Sequence, residues 1–150
     1  EVVRVLDEVT WVNDTSATAP AAAVAGIRVL APRAKTLHII AGGADKKTDL
    51  DPLAVELATH HATVYLLDGT ATADLASLLE VREVKYFGPF GSMQETISAI
   101  DAAVEPGDVV ALCPGCASFG MFRNEFDRGS RFRAAVADLT PRSALQEVQS

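Results

Sequence analysis

The chain has 150 residues, of which 49% are hydrophobic and 22% charged, a composition typical of one globular domain with its own core. Lys and Arg total 13 against 20 Asp and Glu, and the net charge of −7 argues against generic binding to nucleic acid or acidic membranes. No apolar stretch approaches the roughly 20 residues that span a bilayer, and the first residues lack the features of a signal peptide, so we expect a cytoplasmic protein.

Short runs rich in β-branched residues alternate with helical patterns along the chain. The opening VVRVLDEV fits either an edge strand or a linker remnant. Strands are predicted at 9–12, 36–41, 63–67, 84–87 and 108–113, and helices at 19–31, 50–61, 72–81, 92–104 and 124–139. Residues 140–150 form a polar tail that we expect to fray.

This alternation, with its short connections, predicts an α/β domain. Right-handed crossovers would give a mostly parallel sheet of about six strands with helices on both faces. Ligands bind such sheets at the carboxyl ends of the strands, so the turns that follow strands are expected to carry the chemistry. These turns are NDTSATAP (13–20), GGADKKTD (42–49), DGTA (68–71), GPFGS (88–92) and CPGCASFG (113–120).

The last of these turns contains the CxxC pair Cys113 and Cys116. A thioredoxin-like redox pair would follow an early strand, whereas this pair follows the last one. A zinc site would need two further ligands, which His38, His60 and His61 do not offer at ligand spacing. We interpret the pair as two small buried thiols at a strand end, with a thiol oxidoreductase as the weaker alternative.

The first turn is rich in hydrogen-bonding side chains. Asp14 could accept ribose hydroxyls, and Thr15, Ser16 or Thr18 could cap the following helix or bind an anion at its N-terminus. Capping would explain one or two of these residues. A run of four polar side chains therefore also favours a ligand site.

The second turn combines a glycine pair with a lysine pair. Gly42 and Gly43 let a ligand approach the backbone, and Lys46 or Lys47 supplies a positive charge for a carboxylate or phosphate. The spacing is not that of a Walker A loop. An ordinary turn with solvated lysines is the alternative.

Three runs, taken in order, resemble the C-terminal domain of the Mur ligases, and most closely the branch that adds D-glutamate. The runs are NDTSATA, GGADKKTDLDPL and CPGCASFGMFRNEFDRGSRF, and the third matches the family pattern without a gap. The resemblance covers about Val9 to Leu139 and implies a Rossmann-like three-layer fold. Residues 1–139 would be the amino-acid-binding domain, with the N-terminal and central ATP-binding domains outside this chain.

The resemblance implies an ADP-forming ligase of peptidoglycan and cell-wall synthesis. In such ligases ATP phosphorylates the carboxyl of UDP-N-acetylmuramoyl-L-alanine, and the amine of D-glutamate attacks the resulting acyl phosphate. ATP and Mg²⁺ would be held mostly by the central domain, so this domain would hold no metal, supply no catalytic residue and be inactive alone. The implied partners are both substrates and the central domain, within a monomer.

The resemblance also assigns substrate-binding roles by position. Thr18 and Lys46 would hold the α-carboxylate of D-glutamate, and Ser118 its side-chain carboxylate. The backbone N–H of Glu125 would donate to that second carboxylate. These donors must be local, because the chain as a whole carries a net charge of −7.

For the nucleotide, the resemblance assigns Asp14 to the ATP ribose and makes Ser16 and Lys47 further candidates. Four positions depart from the family pattern by replacing its Lys, Asn, Asp and Phe; these are Ser16, Ala19, Gly120 and Glu125. The departures keep a second hypothesis open, a non-catalytic Rossmann-like binding module derived from such a ligase.

Overall fold

In the computed structural model, which describes residues 1–149, six strands form one sheet in the order β1-β2-β6-β3-β4-β5. Only the edge pair β1–β2 is antiparallel. The predicted mostly parallel sheet is therefore confirmed. The strands are β1 (Val2–Leu6), β2 (Val9–Asn13), β3 (Leu37–Ala41), β4 (Thr63–Leu67), β5 (Tyr86–Phe90) and β6 (Val109–Leu112).

The structure has six α-helices, and the first five pack on the two faces of this sheet. The six helices are α1 (Pro20–Leu30), α2 (Asp51–Thr59), α3 (Thr72–Val81), α4 (Met93–Asp101), α5 (Glu125–Ala137) and α6 (Arg142–Gln149). One turn of 3-10 helix, Ala31–Arg33, continues α1. None of the helices in the described part of the chain is both long and apolar enough to cross a membrane.

Two hydrophobic clusters, one on each face of the sheet, hold the layers together. Neighbouring strand residues supply opposite clusters: Ile39 joins the cluster under α1, α2 and α3, while Ile40 joins the cluster under α4 and α5. This follows from the two-residue period of a strand, and burial of each such side chain contributes about 1.5–3 kcal/mol. The three-layer α/β architecture expected from the sequence is confirmed.

The first strand resolves the ambiguity of the opening segment. β1 pairs antiparallel with β2, and the backbone N–H of Asn13 donates to the carbonyl of Glu1 at 2.8 Å. The opening segment is therefore an edge strand, and the linker interpretation is wrong.

The fifth strand lies two to three residues later than predicted. We predicted a strand at 84–87 and a turn at 88–92, but β5 runs from Tyr86 to Phe90 through Gly88 and Pro89. Proline lacks an N–H donor and is tolerated here because β5 is an edge strand whose pairing with β4 shifts register after Tyr65.

The polar tail is helical rather than frayed over Arg142–Gln149. The Arg142 N–H donates to the Asp7 carboxylate at 3.0 Å. The Arg142 guanidinium donates to the carbonyls of Asp101 at 3.3 Å and Val104 at 2.6 Å. These long-range bonds dock the start of α6, and periodicity within the tail does not reveal them. Ser150 lies outside the described residues.

Candidate functional site

Three of the predicted turns meet backbone to backbone at the carboxyl edge of the sheet. Ala44 and Ala117 exchange two backbone hydrogen bonds of 2.9 and 3.2 Å, which join the turn after β3 to the turn after β6. A Cβ on Gly43 would collide with the Ala117 carbonyl, and a Cβ on Gly69 would collide with the Gly43 carbonyl. Glycine at 43 and 69 therefore permits the close approach of these three turns.

The turn after β2 joins the same group. The Gly115 N–H donates to the Ala17 carbonyl at 2.8 Å, and the Asp14 N–H donates to the Leu112 carbonyl at 2.9 Å. The Thr15 hydroxyl donates to the carbonyl of Glu125, the first residue of α5, at 2.8 Å. The segments that carry the four residues assigned to D-glutamate are thus in direct contact at one edge.

Each of those four residues keeps a donor that no other described residue uses. Ser118 is 7% exposed, and its hydroxyl makes no hydrogen bond within residues 1–149. The same holds for the half-buried Thr18 hydroxyl and for the Glu125 N–H in the unpaired first turn of α5. Lys46 is exposed and forms no ion pair with the described chain. These four residues therefore offer a ligand one cation and three neutral donors.

The nucleotide candidates are arranged less tightly. The Asp14 carboxylate accepts from the Ser16 hydroxyl at 3.3 Å and from the Cys113 thiol at 3.6 Å, and it retains free acceptor capacity. Lys47 is exposed and has a positive φ of 58°, with its N–H bonded to Asp45 at 2.6 Å. The Asp14 carboxylate can therefore accept a further hydrogen bond from a hydroxyl group.

A magnesium site does not emerge from the same residues. Among the side chains that the structure describes, those of residues 1–145, no group of three or more His, Cys, Asp or Glu is placed to hold a metal ion.

One residue of the site escaped the sequence assignment. Arg128 on α5 is fully buried, and its Nε donates to the Thr15 hydroxyl at 2.9 Å. Its two terminal nitrogens donate to the carbonyls of Thr15 at 2.7 Å and Cys116 at 3.0 Å. Burial lowers the pKa of Arg128 to about 10, so the side chain remains a cation near neutral pH.

The sequence held one signal for this arginine. Gly129 follows it inside a helix, where glycine is unfavourable, and a Cβ there would stand 2.8 Å from Cγ2 of Thr15. A helical glycine next to a polar residue indicates close approach of another segment. An arginine is ordinarily expected at the surface, which is why Arg128 was not assigned.

A cleft of about 580 Å³ lies at the same edge of the sheet, between the turns after β4 and β6. Its lining includes the DGTA turn, which the sequence placed at the ligand edge without assigning any residue of it. Phe119, which is 58% exposed, forms an apolar part of the wall. The lining residues are Ala44, Asp68, Gly69, Thr70, Gly91, Phe119, Gly120 and Met121.

The two cysteines are free, buried thiols. Burial and the neighbouring Asp14 carboxylate raise the pKa of Cys113, and burial raises the pKa of Cys116 to about 11. A thiol oxidoreductase needs the opposite shift, toward a thiolate at neutral pH. The interpretation of these residues as buried thiols at a strand end is confirmed.

The positions that depart from the family pattern also lie at this edge. Ala19 precedes α1 and provides no side-chain cap, and Ser16 is exposed. Gly120 has a positive φ of 99° with open space where a Cβ would stand. Glu125 begins α5, half-buried, beside the donors described above.

Comparison with known proteins decides the family. A family model described as "Mur ligase, glutamate ligase domain" matches residues 1–116. The chain belongs to the Mur ligase family. The resemblance drawn from the three runs is thereby confirmed.

Among Mur ligase relatives, three named UDP-N-acetylmuramoylalanine--D-glutamate ligase are similar over most of the chain. The protein of Roseiflexus sp. (strain RS-1) is 48% identical over 142 residues, which cover 93% of this chain and 30% of that protein. That of Symbiobacterium thermophilum is 41% identical, covering 93% of this chain and 30% of that protein. That of Treponema pallidum is 38% identical, covering 83% and 23%.

A solved structure supports the Mur ligase fold. It is a crystallised domain assigned to a UDP-N-acetylmuramate:L-alanyl-gamma-D-glutamyl-medo-diaminopimelate ligase from Haemophilus ducreyi 35000HP. The two share a TM-score of 0.58 and 20% identity, over 90% of this chain and 98% of that domain. The chain thus has the size of one Mur ligase domain and spans about 30% of the length of the first curated relative.

Proposed function

We propose that this chain is the amino-acid-binding domain of a cytoplasmic, ATP-dependent ligase that adds D-glutamate to UDP-N-acetylmuramoyl-L-alanine during peptidoglycan synthesis. Residues 1–139 would form this domain, and the N-terminal and central domains would come from a longer parent protein. The observation that carries the proposal is the direct contact, at the carboxyl edge of the sheet, between the segments that carry Lys46 and three unused donors. The relatives, up to 48% identical, favour D-glutamate as the ligand.

D-Glutamate needs a donor set of this kind because it carries two carboxylates. Lys46 and the Thr18 hydroxyl would bind the α-carboxylate, and the Ser118 hydroxyl with the Glu125 N–H would bind the side-chain carboxylate. Each charge-assisted hydrogen bond contributes about 1.5–3 kcal/mol. The Glu125 carboxylate would stand near this anion, which is a departure that the binding site must accommodate.

The chemical role of this domain would be to hold and orient the amine. ATP, when bound, supplies the phosphoryl group that activates the acceptor carboxyl. Asp14 would contact its ribose, and Ser16 and Lys47 are candidates for further nucleotide contacts. Since the described residues include no magnesium ligand set, the ion would be bound by the remainder of the parent protein.

The test uses the full-length parent enzyme with an assay for ADP release. We expect Lys46→Ala and Ser118→Ala each to raise the KM for D-glutamate by about tenfold to a hundredfold, the loss of one charge-assisted bond. Lys35→Ala is the matched control, because Lys35 is an exposed lysine bonded to Glu105 away from this edge. Unchanged D-glutamate KM values in both site variants would refute the residue assignment.

The departures at Ser16, Ala19, Gly120 and Glu125 favour one alternative, the non-catalytic binding module. If the unsubstituted parent releases no ADP with UDP-N-acetylmuramoyl-L-alanine and D-glutamate, or with other amino acids, that alternative is correct and the ligase proposal fails. ADP release with an amino acid other than D-glutamate would retain the reaction class and change only its substrate.

A further inference from the structure

Arg128 is an unusual cation for its environment. Its side chain is fully buried, and no carboxylate in the described part of the chain pairs with it. Burying a charge without an ion pair is costly unless the group is well hydrogen-bonded. All three Arg128 bonds go to uncharged oxygens, on Thr15 and Cys116. Arg128 therefore neutralises no carboxylate, and its structural effect is to join the segments that contain Thr15 and Cys116.

Those acceptors lie on the two segments that carry the unused hydroxyls of Thr18 and Ser118. Thr15 lies three residues before Thr18 in the turn after β2, and Cys116 lies two residues before Ser118 in the turn after β6. The planar guanidinium bonds both segments at once from α5. A lysine could not reproduce this, because an ammonium lacks the rigid fork of an arginine.

The Thr15 hydroxyl extends the arrangement to the third donor. It accepts from Nε of Arg128 at 2.9 Å and donates to the Glu125 carbonyl at 2.8 Å. Glu125 provides the first N–H of α5, so the same hydroxyl also fixes the start of that helix. A single arginine and a single hydroxyl therefore set the relative positions of Thr18, Ser118 and the Glu125 N–H.

Arg128 also lies next to Ser118. The two residues, together with Gly42 and Gly43, line a narrow gap that is too small for a water molecule. The arginine thus stands behind the hydroxyl that we assign to the ligand, while its own donors are occupied. This placement fits a residue that acts on the ligand through its neighbours.

Resting on the proposed function, we propose that Arg128 and the Thr15 hydroxyl are positioning residues of the amino-acid site, which hold the turns after β2 and β6 in the arrangement that binds both carboxylates. They touch no reacting atom. Their loss would therefore weaken amino-acid binding selectively, because displaced donors form longer and weaker hydrogen bonds with the two carboxylates.

The test uses four variants in the full-length parent enzyme. Arg128→Lys retains charge but loses the fork, and Thr15→Val removes the hydroxyl at nearly constant shape. Thr15→Ser is its conservative partner because it keeps the hydroxyl. Arg131→Met is the matched control: Arg131 lies one turn later on α5, is about half exposed and bonds only Asp127 within the described chain.

For Arg128→Lys we expect a rise in the D-glutamate KM of about tenfold to a hundredfold, and for Thr15→Val a rise of about threefold to tenfold. The KM values for ATP and the nucleotide substrate should stay within about twofold of the unsubstituted enzyme, as a positioning role at one subsite requires. Thr15→Ser and Arg131→Met should leave all three KM values unchanged. Equal changes in all three KM values for Arg128→Lys, or a Thr15→Ser variant as impaired as Thr15→Val, would overturn the proposal.

Hydrogen–deuterium exchange separates this proposal from the ligase proposal. In Arg128→Lys and Thr15→Val we expect faster exchange in peptides covering 13–18 and 113–120, and no change in Arg131→Met. This readout does not depend on turnover. If the unsubstituted parent proves inactive with D-glutamate, the exchange data still decide whether Arg128 holds the two turns, and unaltered exchange there would refute that role.

Discussion

Two buried polar clusters lie at opposite ends of the same sheet, and they differ in whether unused hydrogen-bond donors lie beside them. We call His38, Tyr65 and Asp108 the amino-end cluster, and Arg128, Thr15 and the Cys116 carbonyl the carboxyl-end cluster. In the amino-end cluster, Asp108 accepts from His38 Nε2 at 2.9 Å. With that tautomer, Nδ1 of His38 accepts from the Tyr65 hydroxyl at 3.2 Å.

The amino-end cluster is closed. Besides His38, the Asp108 carboxylate accepts from the backbone N–H groups of Thr36 at 3.2 Å and Glu105 at 3.0 Å. Its side chains therefore satisfy one another and the starts of β3 and β6. These bonds lie within the described chain, and we expect the cluster to contribute to stability.

The carboxyl-end cluster is satisfied within itself but is surrounded by unused donors. The hydroxyls of Ser118 and Thr18 and the backbone N–H of Glu125 donate to no other residue of the described chain. The difference teaches that a buried polar residue indicates a binding site only when unused donors or acceptors lie next to it. We therefore expect substitutions at the amino end to reduce mainly stability, and substitutions at the carboxyl end to reduce mainly ligand binding.

Asp108→Ala should give the largest loss of stability. It leaves His38 and two backbone N–H groups without their acceptor, and breaking a buried pair in this way costs about 3–5 kcal/mol. Urea unfolding measures this loss. Glu105→Ala is the control, because its exposed ion pair with Lys35 is worth less than about 1 kcal/mol. Equal losses for the two variants would show that the amino-end cluster is not a stabilising unit.

Raising the pH should lower the free energy of unfolding through Cys116, at the carboxyl end, by less than the Asp108→Ala substitution does. The folded state raises the pKa of Cys116 to about 11, so burial stabilises the protonated thiol. That stabilisation is complete below the unfolded pKa of about 8.5 and falls by about 1.4 kcal/mol per pH unit until the folded pKa is reached. The free energy of unfolding of Cys116→Ala should therefore fall less steeply between pH 9 and 11 than that of the unsubstituted protein. Identical slopes in both proteins would contradict the assigned burial.

Ser118→Ala should have the smallest effect on stability, less than about 0.5 kcal/mol, because its hydroxyl bonds no described residue. Urea unfolding of this variant is best compared with Thr72→Val, whose buried hydroxyl donates to the Leu67 carbonyl at the same edge. We expect the Thr72 variant to lose more stability. A large loss for Ser118→Ala would indicate a structural hydroxyl rather than one reserved for a ligand.

Much of the fold could be predicted because the periodicity of strands and helices is visible in short stretches of contiguous residues. The strand at 63–67 and the helix at 72–81 match β4 and α3. The apolar residues of β4 alternate between the two hydrophobic clusters, and those of α3 face one of them. The edge strands were harder. β5 continues through Gly88 and Pro89 because pairing with β4, rather than local propensity, sets its end.

The site was predictable in part for a related reason. The three runs in the turns after strands identified the family before any contact was known, and the family model confirms it. The individual ligand roles of Thr18, Lys46, Ser118 and Glu125 stay predictions. The docked start of α6 was missed because Arg142 bonds residues far from it in the chain, Asp7 among them.

The sequence by itself determined the order of strands and helices along the chain and the family, because each depends on periodicity or on motifs of contiguous residues. The tertiary structure alone decided that His38 and Asp108 form a buried hydrogen bond and that Arg128 joins two turns from inside the core. Burial and hydrogen-bond partners depend on residues about 70 to 113 positions apart, as in His38–Asp108 and Thr15–Arg128. No local pattern encodes such pairs, and only the packed chain brings them within bonding distance.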